Sequence, residues 1–212
     1  MSWKNAKWMF IDTETTGLKV SQGARVWEVG WAIVDDMKIS SAENLILDPG
    51  VEIPPEVVKI TGVKPEELKG KPSFKDISHE LYNKMNAVDF IMAYNAKFDK
   101  EMIDNEFKLA GLSTPNKQWL DPIIWIRRFM KLGDYKLKTL TTHFKVELDR
   151  AHRADADAEA AARATVKFLE TFEGKAIPDD PLELARMEKV WDADERDIRK
   201  AAYQSKTKIN KP

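Results

Sequence analysis

A chain of 212 residues can bury a full core, and its length suggests one main domain with at most a small appendage. A third of the residues are charged, yet the net charge is only −1, which excludes a bulk electrostatic nucleic-acid binder and leaves room for a basic rim around an acidic centre. With no cysteine, disulfides, thiolate metal sites and cysteine nucleophiles are excluded.

Met1 to Lys7 contains no apolar run of signal-peptide length, and nothing approaches the ~20 apolar residues of a membrane span, so the expectation is a soluble, cytoplasmic protein. Trp8-Met9-Phe10-Ile11 reads as a buried strand running into a turn at the acid and Thr-Thr-Gly that follow. Val26 to Val34 and Lys38 to Leu47, joined across Asp35-Asp36, read as a hairpin that completes an antiparallel meander with the first strand. Asp48 to Pro65, broken by prolines and glycines, reads as a loop carrying at most short helical turns. Phe74, Ile77, Leu81 and Met85 recur at helical spacing within Ser73 to Met85. Val88 to Ala93 is a further buried strand, followed by a helix over about Lys97 to Ala110 and a short strand near Trp119. Helices are then expected over Pro122 to Met130, with Asp121 as N-cap, near Leu137 to Phe144, and over Ala154 to Phe172. A meander followed by strand and helix alternation implies an α/β domain built on a mixed sheet flanked by helices.

The break at Gly174 to Pro181 divides an expected domain, residues 1–174, from a C-terminal piece, residues 175–212. That piece is an amphipathic segment bearing Leu184, Met187, Val190, Trp191 and Ile198 and a polar, lysine-bearing tail from Gln204 to Pro212. Trp191 and its flanking helix can dock on a polymerase, on a second copy of the chain, or back on the domain. Core packing is the expectation for all seven tryptophans. His79 and His143 have no partner at ligand spacing.

Three short segments carry candidate chemistry. Asp12 and Glu14 are separated by one residue on a strand, so their carboxylates project to the same side and can grip one ion. Carboxylate oxygens are the hard ligands that Mg2+ and Mn2+ prefer. Taken alone, Asp-x-Glu is also a common way to end a strand. Asp99 falls in the first turn of a helix, near a cap at Asn95 or Ala96, where the helix dipole is sufficient reason for an acid. His152 precedes an alanine-rich helix, slim enough to approach the sheet closely, whose first turn carries Asp155 and Asp157. With an unperturbed pKa of about 6.5, a histidine there can take a proton from an activated water near neutral pH.

The segments Phe10-Ile11-Asp12-Thr13-Glu14-Thr15-Thr16-Gly17-Leu18, Tyr94-Asn95-Ala96-Lys97-Phe98-Asp99 and His152-Arg153-Ala154-Asp155-Ala156-Asp157-Ala158 together resemble the three motifs of the DnaQ-like DEDD exonuclease family, in its histidine-bearing branch. Ile53-Pro54-Pro55-Glu56 through Ile60-Thr61-Gly62-Val63 to Lys71-Pro72-Ser73-Phe74 is similar to the family's connecting segment. The resemblance covers roughly residues 7 to 172. It implies a ribonuclease H-like five-stranded mixed sheet and a 3′-5′ exonuclease working on DNA 3′ ends with two divalent cations, Mg2+ or Mn2+.

By the same resemblance, Asp12, Glu14, Asp99 and Asp157 are the metal ligands, with Asp155 as second choice for the last, and His152 is the general base. Thr13 would offer its backbone N–H to the terminal sugar, and Leu18 and Ile60 would pack on the last bases, with Thr61, Asn95 and Phe98 also facing substrate. Lys97, Arg127, Arg128 and Lys136 would help hold a single strand. Tyr94, Lys97 and Thr61 depart from the family's usual residues and bear on substrate preference. The acid set does not separate DNA from RNA, so an exoribonuclease is the alternative; a non-catalytic nucleic-acid-binding module is a more distant one.

Overall fold

The computed structural model describes residues 2–148, 152–175 and 177–209, and of residues 198, 199 and 201–209 the backbone alone. Five strands lie in the order β3-β2-β1-β4-β5. β1 (Trp8–Thr15) pairs antiparallel with β2 (Val26–Asp35), which pairs antiparallel with β3 (Lys38–Ile46). On its other side β1 runs parallel to β4 (Phe90–Met92), which runs parallel to β5 (Gln118–Leu120). The expected meander and mixed sheet are therefore present.

β1 is longer than its apolar run: it continues through both acids to Thr15, paired with β2, whereas its pairing with β4 stops at Phe10. Beyond Phe10 one side of the strand lacks a ladder partner, and the acids stand at this parting.

Alternation along β1 sorts two cores. Trp8 and Phe10 join Ala32 and Val34 under α5 (Pro122–Phe129), α6 (Leu137–Phe144), α7 (Ala154–Thr171) and α8 (Pro181–Ile209). Met9 and Ile11 face α3 (Phe74–Asn86) and α4 (Ala96–Leu109), where Phe74, Leu81, Ile103 and Phe107 are buried. A capping box between Ser73 and Asp76 starts α3, and Asp121 caps α5 ahead of Pro122, as the sequence suggests. All seven tryptophans are buried.

The stretch expected as a loop with at most short helical turns holds the seven-residue helix α1 (Pro55–Thr61), and α2 (Pro65–Leu68) starts where that stretch ends. Each begins on a proline at its first position, where the missing N–H costs nothing. α1 ends on Gly62 in the left-handed region, φ 72°. They cover a small satellite core of Trp27, Ile53 and Leu68.

The C-terminal segment is the single helix α8, whose first half packs back on the domain. Leu184 and Trp191 are buried, and Trp191 meets Phe129 edge-on at 5.3 Å. The side chain of Ile198 and those of the tail from Gln204 lie outside the described residues. Among the described residues no helix is long and apolar enough to cross a membrane.

Candidate active site

Asp12 and Glu14 share the face of β1 that carries Trp8 and Phe10, so they point toward α7. That helix reaches them because of Gly30. Gly30 pairs with Asp12 across β1 and β2, and a Cβ built on it would lie 2.1 Å from the carbonyl carbon of Ala154 and 2.2 Å from the backbone nitrogen of Asp155. The first turn of α7 thus rests on bare strand backbone.

His152 precedes α7 in the left-handed region, φ 67°, and its backbone N–H donates to Asp157 Oδ2 at 3.0 Å. Donor atoms of Glu14, His152 and Asp157 all lie within 4.8 Å of one another. Asp155 is not part of that group.

A second tether orients this corner. Glu28, fully buried and opposite Glu14 in the register, accepts from Arg153 Nε at 3.1 Å and also from Asn44 Nδ2. The guanidinium adjoining His152 is therefore tied down to β2.

Asp99 approaches from the opposite face. It is buried in the first turn of α4, and its Oδ1 accepts from both the backbone N–H (3.0 Å) and Oγ1 (2.8 Å) of Thr13. Thr13's N–H, expected to meet a terminal sugar, is donated to Asp99, and its side chain, which points away from the acids of its own strand, bonds the same oxygen. Asp99 nevertheless lies close enough to Asp12 to repel it.

The electrostatics of the cluster are those of like charges crowded out of water. Burial first, and then Asp99, Asp157, Glu14 and Glu28, hold the Asp12 carboxyl well above the carboxylate range. Burial, and then Asp157, Glu28 and Asp99, push Glu14 up to about 8, relieved in part by Arg153. Burial raises Asp99 to about 7 against the pull of the Thr13 hydrogen bonds. Asp157 is raised by burial, with His152 opposing. Four acids crowded together, in a site rich in hard oxygens and without thiolate, fit a divalent cation that would offset their mutual repulsion.

The remaining expected residues differ in exposure and in partners. Leu18 and Ile60 are 82% and 63% exposed, unusual for large apolar side chains. Asn95 is the exposed N-cap of α4 in the left-handed region, φ 79°, and Phe98 is half-buried beside it. Thr61 Oγ1 donates to the carbonyl of Val57 within α1. Tyr94 donates its hydroxyl to the carbonyl of Tyr135. Arg127 pairs with Glu195 and lies over the Tyr135 ring, whereas Lys97, Arg128 and Lys136 are exposed.

Sequence reasoning passes over Gly30, Glu28 and Arg153. Glu28 and Gly30 are alternate residues of Val26-Trp27-Glu28-Val29-Gly30-Trp31, an acid and a gap on the same face of an otherwise apolar strand. That alternation is the signal available for them.

The RNase_T family model, described as an exonuclease, matches residues 9–165. The 3′-5′ exonuclease DinG of Bacillus subtilis is 26% identical over 173 residues, 81% of this chain and 18% of that protein, so the chain spans under a fifth of this relative's length. The zinc-bound complex of E. coli ExoI with single-stranded DNA shares the fold at a TM-score of 0.70 and 21% identity, covering 80% of this chain and 41% of that one. A 3′-exonuclease solved in specific recognition of the histone mRNA stem-loop 3′ end does so at 0.68 and 14% identity, covering 80% and 65%. With most of its length inside the family model, and with the mixed five-stranded sheet of these neighbours, the chain belongs to the RNase_T exonuclease family of DEDD-type enzymes.

Proposed function

We propose that this protein is a 3′-5′ exonuclease of the histidine-bearing branch that removes nucleotides from DNA 3′ ends, with single-stranded or frayed ends preferred. The observation that carries the reading is the meeting of Asp12, Glu14, His152 and Asp157 at the parting of β1 and β4, with Asp99 reaching it from α4.

Asp12, Glu14, Asp99 and Asp157 would hold two Mg2+ or Mn2+ ions. When bound, such ions neutralise the acids, acidify the attacking water and stabilise the departing 3′ oxygen. His152, exposed at the mouth of the site, receives the proton of the water that attacks the terminal phosphodiester. Its backbone is held by Asp157, and the neighbouring Arg153 by Glu28. The P–O bond to the 3′ oxygen of the preceding nucleotide breaks, releasing a nucleoside 5′-monophosphate and leaving a new 3′ hydroxyl. Leu18 and Ile60 pack on the last bases. Asn95 and Phe98 line the floor at the start of α4, and Thr61 supports the segment that carries Ile60. Their exposure supports that role for the two apolar residues.

The test uses 5′-labelled single- and double-stranded DNA and RNA oligonucleotides with Mg2+ or Mn2+, beside Asp12→Ala and His152→Ala. A ladder shortening from the 3′ end, lost in Asp12→Ala, is expected. Absence of metal-dependent cleavage of every substrate refutes the reading, and a strong preference for RNA transfers it to an exoribonuclease.

A further inference from the structure

A chain of hydrogen bonds leads from the C-terminal helix, which lies beyond the residues matched by the family model, to the helix that carries Asp99. It begins at Glu188 on α8. This side chain is half-buried, and its Oε2 accepts from Trp125 Nε1 at 2.8 Å and from the backbone N–H of Asp121 at 3.0 Å. Asp121 closes β5 and is itself buried. Its Oδ1 accepts from the N–H groups of Ile123 and Asn95, both at 3.1 Å, and its Oδ2 from the N–H of Ala96 at 3.0 Å. One carboxylate therefore caps α5 and simultaneously grips the two residues at which α4 begins.

That grip is needed. Asn95 holds a left-handed backbone, which asparagine tolerates but does not by itself select, so the bonds to its N–H and that of Ala96 fix where the helix starts. No side-chain cap bond from Asn95 itself serves the first turn of α4. The direction in which the helix leaves β4, and with it the place of Asp99 four residues on, is set by two hydrogen bonds to Asp121. The only carboxylate bonded to the Asp121 backbone N–H, among the described residues, comes from α8.

We propose that Glu188 is a positioning residue for the active site: it seats Asp121, Asp121 seats Asn95 and Ala96, and α8 is thereby part of the catalytic unit. The kinetic consequence rests on the assignment of Asp99 to the metal site; the structural consequence does not.

The test compares Glu188→Leu, which keeps bulk and loses the acceptor, with Glu188→Gln, which keeps an acceptor oxygen, both in the full chain. Losing one hydrogen bond in the relay should speed amide hydrogen exchange across residues 95–98 about tenfold in Glu188→Leu. The concentration of free Mn2+ at half-occupancy, read by electron paramagnetic resonance, should rise several-fold, and kcat should fall about tenfold with KM changed less than about twofold. Glu188→Gln should stay within about twofold of the parent protein in all three. Unchanged exchange at 95–98 in Glu188→Leu, or equal impairment in Glu188→Gln, overturns the proposal. If Glu188→Leu does not fold, Asp121→Asn must show the same exchange signature, and its absence there overturns the proposal equally. A parent protein that binds Mn2+ but cleaves no oligonucleotide refutes the nuclease reading while leaving the exchange comparison decisive for the relay.

Discussion

Adding a single methyl group at Gly30 puts the assembly of the site to the test. The Cβ of Gly30→Ala would meet the Ala154 carbonyl carbon at 2.1 Å, whereas carbon atoms in favourable contact are about 3.5 Å apart. The first turn of α7 or strand β2 must therefore shift by about 1.4 Å. Neither partner is the flexible end of a side chain: Gly30 is laddered between Asp12 and Asn44, and Ala154 opens a helix. Overpacking of this kind costs about 1 to 3 kcal/mol, a drop in Tm of about 3 to 10 °C for a chain of this size. The effect on chemistry is larger, because a misplacement of about 1 Å in a reacting group is worth about a hundredfold. Both Asp157 and the backbone of His152 ride on the displaced turn, while Asp12, Glu14 and Asp99 stay. Single-turnover digestion of a 5′-labelled oligonucleotide at saturating Mn2+ should show at least an about hundredfold loss in Gly30→Ala, measured well below its Tm. A folded Gly30→Ala that cuts at the parent rate would refute the claim that close backbone approach builds this site.

Other consequences follow from the charges. In the ion-free fold Glu14 keeps its proton to about pH 8 and Asp99 to about pH 7, against ordinary values of 4.5 and 3.8. A raised acid pKa costs the fold nothing below the unfolded value and its full penalty above the folded one, so this cluster weakens the ion-free protein progressively as pH climbs from about 4 to about 8. Asp12→Asn should then be inactive yet, in EDTA near pH 8, more stable than the parent, with the gap closing as the pH falls toward 4; a parent protein that melts higher at the alkaline end contradicts this. By the same sign, saturating Mn2+ should raise the parent's Tm more near pH 8 than near pH 6, and calorimetry in buffers of different ionisation enthalpy should show proton release on binding. Arg153→Ala leaves Glu28 buried without its cation and should cost about 3 kcal/mol by urea denaturation, partly recovered by Glu28→Gln in the same chain; a loss below about 0.5 kcal/mol would show the tether to be idle. Leu18→Ala and Ile60→Ala should raise KM for a single-stranded oligonucleotide several-fold with little change in kcat, and an unchanged KM removes them from the substrate surface.

Much of this architecture is legible in the chain because period and punctuation agree. The helical spacing of Phe74, Ile77, Leu81 and Met85, the Asp121-Pro122 start of α5 and the break before Pro181 all read directly into elements. β1 is read too short because acids within an apolar run resemble a strand end, when at a metal-type site they are simply its continuation. α1 is hidden by its prolines, which here begin a helix instead of breaking one. The acids and His152 stand out by motif, but what places them does not. Gly30, Glu28, Arg153 and Glu188 act through contacts between residues far apart in sequence, and no local pattern encodes which carboxylate will meet Arg153 or which backbone N–H will meet Glu188.

The docking of α7 on Gly30 also has a meaning in time. β1, β2 and β3 follow one another closely, so their meander needs only short loops to close and can form while the rest of the chain is still being made. Asp157 comes from the far end of the domain, and the face that α7 covers, with Trp8, Phe10, Ala32 and Val34, stays bare until that helix is available. Asp12 and Glu14 therefore belong to a meander that needs neither Asp99 nor Asp157 to close. If those acids form the proposed metal site, the capacity to degrade nucleic acid arrives only with the last layer of the core, and a partly folded copy has none.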